Sequence, residues 1–160
     1  RLKADLFLSI HADSAENEDA RGASVFTLSE VASDREAAKL AARENKANII
    51  NGVDLGAHGG AVSSILLDLT QRETMNVASD FARLLQREAA DEVPFRSNAH
   101  RFASFVVLKA PDTPSVLFET GFLSNKEDTA FLTSKAGQQK VARGVREAVQ
   151  LHFARRIAER

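Results

Sequence analysis

No cysteine occurs among the 160 residues, which removes disulfides, thiolate metal sites and cysteine nucleophiles together. The compartment stays open, since a chain without thiols is tolerated in oxidising and reducing surroundings alike. No run approaches the ~20 continuous apolar residues of a membrane-spanning helix. The leading Arg1-Leu2-Lys3-Ala4-Asp5 lacks the apolar stretch of a signal peptide. The expectation is a soluble piece with any targeting segment absent. Charge of one sign is missing too: 21 basic and 22 acidic residues are spread along the chain and leave a formal net charge of -1. Without a basic block, nucleic acid is not an expected partner. What is present, 44% hydrophobic residues and no internal repeat, suits one domain with a core of its own.

Two apolar stretches each end in a side chain capable of chemistry. Ser115-Val116-Leu117-Phe118 is β-branched and aromatic, bounded by Pro114 and Gly121, and runs into Glu119. That pattern predicts a buried strand with a carboxylate at its tip. Leu6-Phe7-Leu8-Ser9-Ile10 is a second such strand and ends in His11-Ala12-Asp13-Ser14. In α/β proteins the carboxyl edge of the sheet is where ligands collect. On position alone His11 reads either as a structural hydrogen-bonding residue or as a ligand. Glu119 is costly to bury unpaired, so it must meet an ion pair, water or a metal.

Between and beyond these strands, elements alternate. Residues 23–28, ASVFTL, predict a strand paired near the first. From Ser33 an alanine-rich helix of about four turns is expected, with Ser33 and Glu36 as a capping box. Gly52, Gly56, Gly59 and Gly60 mark a connection. Val62, Ile65, Leu66, Leu69, Val77, Phe81, Leu84 and Leu85 then recur at helical spacing. Glu73 interrupts this stripe, so either the helix breaks near Thr70 or Glu73 has a buried partner. Residues 102–108 predict a third strand, Asn125 a cap for a short helix, and residues 135–156 a last helix with Val141, Val145, Val149 and Phe153 on one face. The sum is an α/β fold: a mixed central sheet flanked by helices on both sides.

Ser9-Ile10-His11-Ala12-Asp13, the run from Val107 to Leu117, and Glu119-Thr120-Gly121-Phe122-Leu123-Ser124-Asn125 resemble the zinc-dependent N-acetylmuramoyl-L-alanine amidases of the type-3 catalytic family. Three ordered motifs carry the resemblance over essentially the whole chain. It implies that His11 is a zinc ligand, that Glu119 is the catalytic acid/base, and that the bond cut joins N-acetylmuramic acid to L-alanine in peptidoglycan. Asp13 could orient the imidazole, although capping the loop is its expected role.

The family draws two further zinc ligands, a histidine in a Gly-His-Gly turn and a glutamate, from a segment preceding the first strand. The resemblance therefore implies a single catalytic domain over residues 1–160 without its N-terminal portion. His58, in Ala57-His58-Gly59-Gly60, imitates the missing motif but follows the strand; His100 and His152 have weaker claims. Residues 33–60 resemble the regulatory insertion of cell-division amidases, with Glu44 the candidate carboxylate blocking the zinc. A periplasmic location, an activator with a LytM-like domain and a role in daughter-cell separation are implied with it. Two other readings stand beside this one: a zinc-less peptidoglycan-binding or scaffold domain, and a zinc hydrolase of a different amide.

Overall fold

The computed structural model describes residues 4–50 and 64–158; the side chains of 48–50 and 64–68 lie outside that description. Strand β1 (Phe7–His11) is followed by β2 (Ala23–Leu28), helix α1 (Arg35–Ile50), helix α2 (Ser64–Glu88) and β3 (Phe95–Ala103). A 3-10 turn (Val106–Leu108), β4 (Ser115–Glu119), α3 (Lys126–Thr133) and α4 (Lys135–Ala158) complete the chain. The sheet is mixed, in the order β1-β4-β2-β3, with β1 parallel to β4, β4 antiparallel to β2, and β2 parallel to β3. The predicted fold is therefore present. The second strand lies near the first, as expected, with β4 between them.

Side chains on successive strand residues point to opposite faces, and both faces are covered. Val25, Val116 and Phe118 pack against Ala78, Phe81, Ala82 and Leu85 of α2 and Ala148 of α4. Phe26, Leu117 and Ala103 face Ala37, Leu40 and Ala41 of α1 and Leu108 of the 3-10 turn. Every residue of β4 is buried. Burial of each large apolar side chain contributes ~1.5–3 kcal/mol, so this double coverage anchors the central strand that carries Glu119.

Several local expectations give way to tertiary contacts. The third strand is Phe95–Ala103 rather than residues 102–108; its Arg96, Asn98 and Arg101 hide the apolar alternation. Arg101 is nonetheless buried, its guanidinium 5.3 Å from the Phe26 ring and bonded to Asp34 and Glu36. That network also overturns the capping box. Asp34 Oδ1 accepts from the Ala37 amide at 2.9 Å and caps α1, Ser33 Oγ accepts from the Phe102 amide, and Glu36 turns to Arg96 and Arg101.

Helix α2 is continuous and Glu73 is exposed, so neither proposed explanation of the interrupted stripe holds. Leu69 is exposed as well, and the buried row is Ala78, Phe81, Ala82, Leu84 and Leu85, continued by Ala89 just past the helix end. On α4 the buried row is Gly144, Ala148 and His152, while Val141, Val145 and Val149 pack at its margin. A Cβ on Gly144 would stand 2.5 Å from that of Ala89, so only glycine allows the two helices to approach this closely. Asn125 caps α3 as expected, its side chain accepting from the amides of Glu127 and Asp128. His58 and the glycine-rich connection lie outside the described residues.

Strand β1 pairs with β4 alone among the described residues. Its Phe7 and Ile10 are exposed, and an apolar groove lined by Ile10, Ala12, Val141, Val145 and Val149 runs beside it.

Candidate metal centre

Parallel pairing of β1 with β4 sets His11 directly opposite Glu119. The two strand tips are tied together immediately beyond: the Thr120 amide and hydroxyl both donate to the His11 carbonyl, at 2.9 and 2.7 Å. The loop after β1 is zipped to the loop after β4 by Leu123 N to the Asp13 carbonyl (2.7 Å) and Ala15 N to Ser124 Oγ (2.9 Å). Gly121 makes this junction possible. Its φ is +147°, and a Cβ there would lie 2.9 Å from the Asp128 carboxylate.

Two residues back along β1, on the same face, Ser9 Oγ lies 2.8 Å from His11 Nε2. Nδ1 is therefore the ring nitrogen turned towards the carboxylates. Asp13 Oδ2 stands 3.6 Å from it and Glu44 Oε2, reaching down from α1, 3.7 Å. His11, Asp13 and Glu44 each present a ligand atom within 4.8 Å of the others. Glu119 borders the group: its Oε1 accepts from the Asp13 amide at 3.0 Å and its side chain is fully buried. Sequence reasoning placed Asp13 as a loop cap; the structure puts its carboxylate inside the cluster. The signal was the spacing Ser9, His11, Asp13, which shares one side of an extended chain.

The electrostatics describe a site with too many anions for one imidazole. The adjoining Asp13 raises the His11 pKa, with burial opposing and Glu44 adding. Asp13 is lowered in return, chiefly by His11. Burial raises Glu44, and the charge of Asp13 raises it further. Burial pushes Glu119 up to about 9, the Asp13 amide pulling the other way. Asp13 Oδ2 and Glu119 Oε2 are buried with no hydrogen-bond partner. A divalent cation beside His11 Nδ1 would meet both needs: it would neutralise the carboxylates and approach the unmatched oxygens. The residues present fit such an ion, and imidazole with carboxylate is a donor set suited to zinc.

The two other described histidines stay outside. His100 lies within β3 rather than before a strand, its Nε2 3.0 Å from Thr27 Oγ1 and its ring against Phe102. Burial lowers its pKa, with Arg83 adding. His152 is buried in α4 between the rings of Phe81 and Phe153.

An α/β protein with a candidate cation site at the tips of two parallel strands is the class that fold and geometry define. Comparison with known proteins supplies the family: the chain belongs to the N-acetylmuramoyl-L-alanine amidases, whose Amidase_3 profile matches residues 1–151. It is 37% identical over 151 residues to N-acetylmuramoyl-L-alanine amidase AmiA of Escherichia coli K12, covering 94% of this chain and 52% of that protein. It is 33% identical over 159 residues to the AmiC amidase of Neisseria meningitidis, covering 99% of this chain and 38% of that protein. The chain thus spans about half or less of these curated relatives. Two solved structures share the fold at 20% identity. The CwlD amidase of Clostridioides difficile, in complex with the GerS lipoprotein, gives a TM-score of 0.59 over 94% of this chain and 55% of that one. The catalytic domain of CwlV from Bacillus (Paenibacillus) polymyxa gives 0.58 over 95% and 59%. Among the described residues no helix is long and apolar enough to cross a membrane.

Proposed function

We propose that residues 1–160 are part of the catalytic domain of a zinc-dependent amidase that cleaves the bond between N-acetylmuramic acid and L-alanine in peptidoglycan. The observation that carries this reading is the meeting of His11, Asp13 and Glu44 within 4.8 Å, with Glu119 buried alongside. Family membership supplies the substrate class. Zinc, when bound, would polarise the scissile carbonyl and make water nucleophilic near neutral pH.

The chain's own residues do the rest. His11 presents Nδ1 to the ion while Ser9 holds Nε2 and so fixes the ring's orientation. The Asp13 amide grips Glu119 Oε1, leaving Oε2 free to take a proton from the attacking water. Glu119 then returns that proton to the departing L-alanine nitrogen, which would otherwise leave as an unstable anion. A catalytic zinc takes three protein ligands. His11 is one, and the reading requires the others from a histidine and a glutamate beyond the described residues. Analysis of the products from purified sacculi tests the assignment: intact stem peptides released from the glycan support it, and cleavage at another amide overturns it.

Replacing Ser9 with alanine is expected to weaken zinc binding about 10- to 100-fold in the complete enzyme, whereas Ser9→Thr retains it. Competition with a chromogenic chelator reads this without reference to turnover, and equal affinities for all three forms would refute the positioning role.

The reading extends to regulation. Helix α1 lies within the 33–60 regulatory segment, and Glu44, 3.7 Å from His11 Nδ1, is the carboxylate that would block a bound ion. A periplasmic activator with a LytM-like domain would withdraw the helix during daughter-cell separation. Glu44→Ala is expected to raise partner-free hydrolysis about 5- to 150-fold, the range of ordinary coupling free energies. Unchanged basal release from labelled sacculi would count against the block.

A further inference from the structure

Three consecutive residues of α1 reach three different places. Arg43 Nη1 donates to the Ser14 carbonyl, Glu44 enters the site, and Asn45 takes hold of the chain between β3 and the 3-10 turn. The Asn45 contact is two-sided: Nδ2 donates to the Ser104 carbonyl at 2.8 Å, and Oδ1 accepts from the Val106 amide at 2.7 Å. Val106 opens the 3-10 turn, so its amide is one that the turn itself leaves unmatched. Between the two gripped residues, Phe105 is fully buried and packs edge-on against Phe26. What Asn45 holds is therefore fixed to the core. Asparagine in a helix interior is disfavoured relative to the alanines around it.

The two ends of α1 are held unequally. At the N-terminal end, buried Arg101 bonds Asp34 and Glu36, and Arg96 joins Glu36. Charge-assisted bonds of this kind are about twice as strong as neutral ones. At the other end the described residues supply the two neutral bonds of Asn45, together with the exposed Arg43 contact. Lys39 with Glu16 is an exposed pair and contributes little. Among the described side chains of α1 the buried apolar residues are Ala37, Leu40 and Ala41, and a cleft of about 220 Å3 lies between α1 and the loop at Ser14 to Asn17.

We propose that Asn45 is the latch of the closed state: its clasp on Ser104 and Val106 keeps Glu44 over His11, and α1 opens from this end about the Arg101 anchor. The proposal rests on the reading of Glu44 as the blocking carboxylate. Among the described residues, an activator then meets two neutral hydrogen bonds and one surface contact at this end, with the anchor end left in place.

The test uses the complete enzyme without activator and two readouts, hydrolysis of labelled sacculi and amide hydrogen exchange along α1. Asn45→Ala is expected to raise hydrolysis about 5- to 150-fold, the factor two ordinary hydrogen bonds support. The gain should not exceed that of Glu44→Ala and should vanish in the Glu44→Ala background. Exchange should quicken at residues 43–47 and stay slow at 37–41. Val106→Pro opens the clasp from the opposite side with the α1 sequence unchanged: it removes the donor and sets its Cδ where Asn45 Oδ1 now lies. The extended Phe105 tolerates a following proline, so a gain in both readouts is expected. Unchanged exchange at 43–47 in both variants, or an even rise along the whole helix, overturns the latch. If exchange responds as described while Glu44→Ala leaves hydrolysis unchanged, the latch stands and the blocking role of Glu44 falls.

Discussion

Glu119→Gln is expected to lower amide hydrolysis by 10²- to 10⁴-fold while leaving zinc content unaltered. The substitution keeps shape and an acceptor for the Asp13 amide but cannot take a proton, and general acid–base catalysis by one positioned group carries about that factor. A second measurement isolates the same carboxyl group. Without an ion, burial holds Glu119 at about 9 against its ordinary 4.5, so the folded chain binds more protons than the unfolded one across that interval. Metal-free stability should then decline as pH rises from 4.5 to about 9, and Glu119→Gln should abolish that part of the slope. Denaturant titrations at pH 5, 7 and 9 check it. Retention of wild-type turnover by the glutamine variant would remove Glu119 from the mechanism.

Asp128→Ala is expected to cost about 2–6 kcal/mol, because two amides lose their only acceptor in a dry place. Asp128 Oδ2 accepts from Gly22 N at 2.8 Å and from Phe122 N at 2.9 Å, both within buried backbone. One carboxylate thus ties the start of β2, the turn after Glu119 and the first turn of α3. Against a typical total of 5–15 kcal/mol this is a large share, and it equals on the order of 10 °C in melting temperature for a domain of this size. Asp128→Asn retains a carbonyl acceptor and should lose less than half as much. Thermal unfolding followed by circular dichroism gives the order of the two variants, and an alanine form as stable as the parent would show that these amides find other partners.

The elements that were legible in the sequence are those whose local pattern and tertiary role coincide. β1, β2 and β4 are short apolar runs with a polar tip, and Asn125 caps α3 as its position predicts. His11 and Glu119 were visible for the same reason, each being the first polar residue after a buried strand. β3 was not, because its inner face uses a buried arginine whose pairing partners lie on α1, some 65 residues away in sequence. The capping box failed for that reason too: Glu36 has a stronger partner in Arg101 than in its own helix terminus. Asn45 left no trace at all, since its partners are backbone atoms of a turn that sequence reading assigned to a strand.

The half-paired position of β1 has a further consequence. Sheet geometry is cooperative: a strand's twist is set by its neighbours on both sides, and the tilt of each side chain follows the twist. Among the described residues His11 projects from a strand with one neighbour and Glu119 from a strand with two. The Glu119 carboxyl is thus carried by a strand held on both sides, whereas the His11 imidazole, its ring oriented by Ser9, rides on a strand held from one. Rigidity therefore falls from the carboxyl group to the imidazole across a single step of strand pairing.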